Sequence, residues 1–414
     1  MPSVGTSLAM PCRVALVPGS SHTALVAIAL PRAAAAAAVV RAWDAGEAVL
    51  PLDPGAPGPE VRRLLDAARP THLVDGDGRA LWPGGRPAEA DVAAVVATSG
   101  TAGTPKLVEL TAAGIRASSL AVSAALGAGP GDRWLACVPL HAVAGLAVVA
   151  RGWHTGVPVE VHDRFEAAQV ARAAAGGATL VSLVPTMLRR LLEAGCDLRR
   201  FRRVLLGGAP APAALLAAAA RAAVPVTRTY GLTETFGGVA HDGHALAGVA
   251  LSVAADGEIG VRGEMVLRRY RGDPEATAAA LRGGVLHTGD LGRLEPDGRL
   301  VVLGRRDDLI VTGGVNVHPV EVERVLSAHP AVADAAVRGL PDPEWGERVV
   351  AYVVPADPAR PPSLGDLRRF AQDRLAAAKT PRQLVLVELV PRTPSGKVVR
   401  RLLAAPQEPG DARA

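Results

Sequence analysis

Lysine is scarce in this sequence of 414 residues. Lys106, Lys379 and Lys397 are the whole supply, and the other 42 basic residues are arginine. In a chain that takes arginine wherever either residue serves, the surviving lysines mark places where a compact, mobile ammonium is needed. Cysteine is equally scarce. Cys12, Cys137 and Cys196 are scattered and form no C-x-x-C pair. This argues against a disulfide or cysteine–metal framework and for a reduced, cytoplasmic protein. Aromatic residues are 3% of the chain and do not interleave with the basic clusters at 198–204 and 398–403, so nucleic acid is not an expected partner. No apolar run reaches the roughly 20 residues of a membrane span. The longest, around 24–41, is broken by Pro31 and Arg32. The N-terminus has no basic segment leading into an apolar core, so no secretory leader is expected.

What is present is hydrophobic residue in bulk, 49% of the chain, enough for large buried cores. The length implies roughly two or three domains. A net charge of +5 suits anionic small molecules. From 92 to about 230, apolar β-branched runs (92–97, 134–140, 178–184, 202–208) alternate with Ala/Leu-rich stretches of helical length (112–126, 165–175, 211–223). This predicts an α/β fold with doubly wound parallel sheet, its ligands at the carboxyl ends of strands. From about 250 to 304 short strands and tight turns dominate, MVLRRY at 265–270 among them, giving a β-rich subdomain. Beyond 307 the pattern is that of a small α+β unit: a helix within 317–330 with Pro319 at its first position, two strands, a helix at 363–378 and a last strand. The expected division is an N-terminal domain over 1–304, a hinge at 305–307, a mobile C-terminal domain over 308–405 and a tail at 406–414.

ATSGTAGTPKLVELT at 97–111 has the makings of a phosphate loop. Its glycines let backbone approach phosphate oxygens, its hydroxyls donate to them, and Lys106 adds a point charge. The glycine spacing and Pro105 exclude the Walker type. An ordinary polar loop is the plain alternative. Four further motifs follow: YGLTETFGG at 230–238, HTGDLG at 287–292, GRRDDLIVTGG at 304–314 and PRTPSGKVVRR at 391–401. In this order and spacing they resemble the adenylate-forming superfamily of acyl-CoA synthetases, free-standing adenylation domains and luciferases, from about residue 40 to about 403. All three lysines fall on motif positions of that family.

The resemblance implies ATP, Mg²⁺ and CoA as cofactors and a small carboxylic acid as substrate. Thr98, Ser99, Gly100, Thr101, Gly103, Thr104 and Lys106 would hold the β- and γ-phosphates. Thr233 would bind the α-phosphate, and Glu234 the metal. Gly207, Gly208, Ala209, Tyr230 and Gly231 would flank the adenine, and Asp290 and Arg305 would take the ribose. Lys397 would bridge carboxylate and phosphate. Asp307 matches the hinge, and Gly313 and Gly314 would line the thiol tunnel, although a tight turn explains those glycines equally well. His141, Arg151, Ser182 and Gly231 would meet the acid, His141 also serving catalysis. The family's amino-acid-activating members carry an aspartate where this chain has Pro139-Leu140-His141, which argues against an amino acid. The short chain looks most like the ligases that take o-succinylbenzoate, in menaquinone synthesis. That substrate has two carboxylates, and Arg151 is the candidate partner of the one not activated. Another aryl- or fatty-acyl-CoA ligase, a carrier-protein-loading enzyme and a non-catalytic nucleotide binder stay open. So does a homodimer.

Overall fold

The computed structural model describes residues 6–8, 21–98, 105–393 and 396–403. Two large sheets carry most of the chain. One has eight strands, with Val159–Val161, Trp134–Ala136, Leu180–Leu183, Arg203–Leu206 and Val226–Leu232 parallel at its centre. The other has seven, with Ala48–Pro51, Leu25–Ile28 and His72–Asp75 parallel beside Val92–Thr98. Leu25–Ile28, Ala48–Pro51 and Leu180–Leu183 are buried at every position, as central strands covered on both faces must be.

Helices Arg32–Asp44, Ala112–Ala125 and Val143–Thr155 lie between the two sheets, and one continuous core joins Val26, Ile28, Val96 and Val108 to Trp134, Leu180 and Leu205 through them. Helices Ala167–Ala175, Pro185–Glu193 and Ala213–Arg221 cover the outer face of the eight-stranded sheet. Gly58–Ala68 covers that of the seven-stranded one. Local chemistry fits two of these starts: Thr111 accepts from the Gly114 amide, and Pro185 opens its helix at a position where no amide partner is needed.

The β-rich region forms its own five-stranded sheet from Ala250–Val253, Glu258–Arg262, Leu281–Arg282, Val285–Leu294 and Leu300–Arg305. After Asp308 a second five-stranded sheet buries Val322, Leu326, Val337, Val353 and Leu367 on one face and Leu340, Tyr352 and Val390 on the other. Pro319 does open the helix Pro319–Leu326. The last helix is shorter than the pattern implied: Leu364–Gln372, capped by Ser363, then a separate turn at Ala377–Lys379.

Two expectations are corrected. The strand at 92–98 is followed not by a loop and crossover helix but by a second strand, Lys106–Thr111, antiparallel to it. The strands that flank the glycine- and threonine-rich segment therefore form an antiparallel pair. MVLRRY is a strand only at Arg269–Tyr270, and that piece joins the seven-stranded sheet beside Lys106–Thr111. Met265 and Leu267 are apolar because they plug the core from a loop, where period alone does not separate strand from filler.

Candidate active site

The strand Val226–Leu232 organises the site. Side chains along a strand alternate between its faces. Tyr230 turns to one side, where its O–H donates to Asp290 Oδ2 at 2.8 Å. Asp290 stands opposite Arg305 in the antiparallel pair Val285–Leu294 and Leu300–Arg305. Arg305 Nη1 donates to Asp290 Oδ1 at 3.1 Å and to the Thr288 carbonyl at 2.9 Å. Burial, then the Asp290 charge, lifts the Tyr230 phenol far above its ordinary pKa, so it stays a neutral donor. Burial opposes the Arg305 charge, but Asp290 outweighs it and the pKa is raised. The three residues expected at adenine and ribose thus form one bonded unit. At Gly231, a Cβ would lie 1.9 Å from the Gly237 carbonyl oxygen, so only glycine admits the close pairing just past the bulge at Tyr230/Gly231.

The chain then tightens into a 3-10 turn, Thr233–Thr235. Glu234 Oε1 accepts from the Tyr270 O–H at 2.8 Å, and Lys106 Nζ sits 4.9 Å from the centre of the Tyr270 ring. Tyr270 therefore couples the carboxylate to the hairpin lysine. Burial, then Glu234, raises its pKa as well. Thr98 is paired with Lys106 at the hairpin edge. Ser99, Gly100, Thr101, Gly103 and Thr104 lie outside the described residues.

On the other side of the same strand the register builds a third group. Ser182 pairs with Leu205, Leu205 with Thr227, and Thr229 with His241. This row shares the inner face of the eight-stranded sheet, under helix Val143–Thr155. Arg151 comes down from that helix, 3% exposed, and its Nη1 donates to Ser182 Oγ at 3.4 Å. Its guanidinium lies 5.2 Å from the Trp134 ring centre. Burial brings its pKa down to about 10. Among the described residues no carboxylate pairs with it.

Gly207, Gly208 and Ala209 end the adjacent strand. A Cβ built on Gly396 would lie 3.8 Å from that of Ala209 and 3.5 Å from Thr186 Cγ2, so Gly396, next to the exposed Lys397, lies against Ala209 and Thr186. Asp307 lies in the turn Arg306–Asp308. Arg306 is tied to Asp256 at 2.8 Å on the β-rich side, and Asp308 accepts from Arg400 at 3.0 Å on the C-terminal side. Gly313 and Gly314, both at positive φ (56° and 76°), form the two-residue turn between Ile310–Thr312 and Val315–Val317. That turn requires such backbone whatever else the glycines do. His141 stands apart from the Arg151 group. Its charged neighbours are Asp53, with Oδ2 4.0 Å from Nε2, then Arg32 and Glu60, and burial lowers its pKa. Lys379 pairs with Glu321 at 2.7 Å. The phosphate or moving charge expected of every lysine thus gives way there to an ion pair.

Three residues without an expected role enter the site: Tyr270, Thr229 and His241. Scarcity was a usable signal for the first. The chain has three tyrosines, and two of them hold Asp290 and Glu234.

Residues 76–270 match the family model described as AMP-binding enzyme, and 321–397 that of the AMP-binding enzyme C-terminal domain. The chain belongs to the AMP-binding enzymes, the adenylate-forming family. Within it, a probable 2-succinylbenzoate–CoA ligase of Mycobacterium tuberculosis is 44% identical over 324 residues, covering 76% of this chain and 84% of that one. The 2-succinylbenzoate–CoA ligase of Geobacillus kaustophilus is 38% identical over 368 residues, 80% of this chain and 75% of that one. The o-succinylbenzoate CoA synthetase of Bacillus subtilis, solved with its acyl-adenylate intermediate, superposes with a TM-score of 0.82 at 31% identity, over 93% of this chain and 89% of that one.

Proposed function

We infer that the chain is an acid–thiol ligase that converts 2-succinylbenzoate (o-succinylbenzoate) to its CoA thioester at the expense of ATP, a step of menaquinone synthesis. The observation that carries the choice of acid is Arg151, a buried cation without a carboxylate partner among the described residues, on the side of the strand opposite Tyr230 and Asp290. A monocarboxylic acid whose one carboxylate is consumed by activation leaves that charge unanswered. A diacid answers it. The names of the relatives point to the same acid.

In the first half-reaction a carboxylate oxygen bonds to the α-phosphorus of ATP as the bond to the β-phosphate bridge breaks, giving acyl-adenylate and pyrophosphate. Two anions must be held in line, so orientation and positive charge do most of the work. Tyr230, Asp290 and Arg305 fix the nucleoside. Lys106 serves the outer phosphates, Thr233 the α-phosphate, and Lys397 the approaching carboxylate. Glu234 fits magnesium: one carboxylate beside a triphosphate is the donor set that ion takes, and Tyr270 holds the carboxylate in place. Bound there with ATP, Mg²⁺ neutralises phosphate charge. In the second half-reaction the CoA sulfur bonds to the acyl carbon, AMP leaves and the thiol proton is lost. The hinge at Asp307, anchored on either side by Arg306 and Asp308, supports a rotation that withdraws Lys397 before the thiol enters.

The test is pyrophosphate release with ATP and Mg²⁺ over a panel of acids, with and without CoA. CoA-stimulated turnover confined to 2-succinylbenzoate is expected. Preference for benzoate, a fatty acid or an amino acid overturns the choice of substrate.

A further inference from the structure

The Arg151 group contains more unanswered polarity than one guanidinium. His241 is 8% exposed, and neither ring nitrogen has a hydrogen-bond partner among the described residues. Thr229 Oγ1, beside it across the strand pair, is buried and likewise lacks a partner among the described residues. Such groups are costly to bury unsatisfied, about 1–3 kcal/mol each, and here two of them share a sheet face with Ser182 and a buried arginine. They converge over one bare stretch of backbone. A Cβ on Gly238 would lie 2.4 Å from Thr229 Oγ1 and 3.6 Å from His241 Nε2, and one on Gly237 would lie 4.0 Å from Arg151 Nη2. Donors gathered over glycine backbone, with no carboxylate of the described residues paired to Arg151, make a receptor for a carboxylate.

We propose that the second carboxylate of the acid docks among Arg151, Thr229 and His241, and that His241 takes up a proton as it docks. The inference rests on the reading of the substrate as a diacid. In the free enzyme the imidazole is neutral. Burial first, then the Arg151 charge, brings its pKa down to about 4, against a smaller opposing effect of Asp242. The charged groups around it are Arg151 from helix Val143–Thr155, Asp242 next in the chain, and Arg228, which engages Asp242 at 2.9 Å. An arriving carboxylate reverses the balance. It screens Arg151 and offers an imidazolium N–H an acceptor. Thr229 adds a neutral donor. His241 is a specificity residue in this account; it touches the carboxylate that does not react.

Proton uptake is the readout that a merely structural histidine would not give. The acid's own carboxylates titrate near pH 4, so protons taken up between pH 6 and 8 are not theirs. Calorimetry of 2-succinylbenzoate binding, with a non-hydrolysable ATP analogue in two buffers of different protonation heat, is expected to show uptake approaching one proton. KM for the diacid should then fall toward tenfold per pH unit as pH drops, with kcat little changed. His241→Asn should abolish the slope and raise KM at pH 6 by about tenfold or more. Thr229→Val, which keeps the shape, should raise KM without removing the slope. Zero uptake in the native enzyme overturns the proposal, as does a His241→Asn enzyme with native KM and native slope. No turnover of 2-succinylbenzoate by the native enzyme is a different failure, that of the substrate reading itself.

Discussion

Replacing Arg151 with methionine should move stability and substrate binding in opposite directions. Holding the guanidinium charged at pH 7 in a site that lowers its pKa from 12.5 to about 10 costs about 3 kcal/mol of folding free energy. The sign follows from the direction. The folded-state pKa lies below the unfolded one, so the cost is full at every pH below about 10 and is relieved only above it. Methionine fills similar length without charge. It forfeits the contact with Trp134, worth about 1 kcal/mol, and the hydrogen bond to Ser182, worth about 1 kcal/mol. The free variant should therefore gain about 1 kcal/mol, visible as a higher Tm at pH 7. Substrate binding runs the other way. Loss of a charge-assisted bond to a desolvated carboxylate costs about 1.5–3 kcal/mol, or about 10- to 150-fold in KM for 2-succinylbenzoate. KM for ATP should stay as it is. Steady-state kinetics and thermal unfolding on the same preparation make the test. A variant with unchanged KM for the diacid, or with a lower Tm and unchanged KM, refutes the reasoning.

Tyr270→Phe removes the donor to Glu234 while keeping a ring under Lys106. A drop of about tenfold in kcat/KM for Mg·ATP is expected in the pyrophosphate-release assay, with KM for the acid unaffected. Asp307→Pro should leave pyrophosphate release from the first half-reaction nearly native and block thioester formation; equal loss of both would count against the hinge. Glu109 is fully buried between Arg269 at 2.7 Å and Arg271 at 2.8 Å. Glu109→Gln leaves buried positive charge unanswered and should lower stability by about 3–5 kcal/mol in denaturant unfolding.

The class of chemistry was legible because it is written in short motifs whose residues stand close together in sequence. Asp290 and Arg305 flank a hairpin, Thr233 and Glu234 share one turn, and Gly396 and Lys397 share another. The layered α/β fold was legible from alternating buried runs and helical stretches. What was hidden depends on register between distant strands. Nothing local marks His241, which gains its setting only because Leu180–Leu183, Arg203–Leu206, Val226–Leu232 and Gly237–His241 stack with Ser182, Leu205, Thr229 and His241 on one face. The partner of Tyr270 lies 36 residues away, and Lys379 finds Glu321 at a separation of 58. The hairpin Val92–Thr98/Lys106–Thr111 was read as strand and loop because its second strand runs directly into a helix, and an apolar run does not reveal where one element ends.

The most direct test of the central claim is to identify the product. Enzyme, ATP, Mg²⁺ and CoA are incubated with 2-succinylbenzoate, or with its two monocarboxylic analogues, each lacking one carboxylate, and thioester and AMP are measured by mass spectrometry. The account predicts stoichiometric 2-succinylbenzoyl-CoA and AMP from the diacid. The analogue that retains the reacting carboxylate but lacks its partner for Arg151 should react at least tenfold less efficiently. Equal efficiency with that analogue, or no thioester from the diacid, would contradict it.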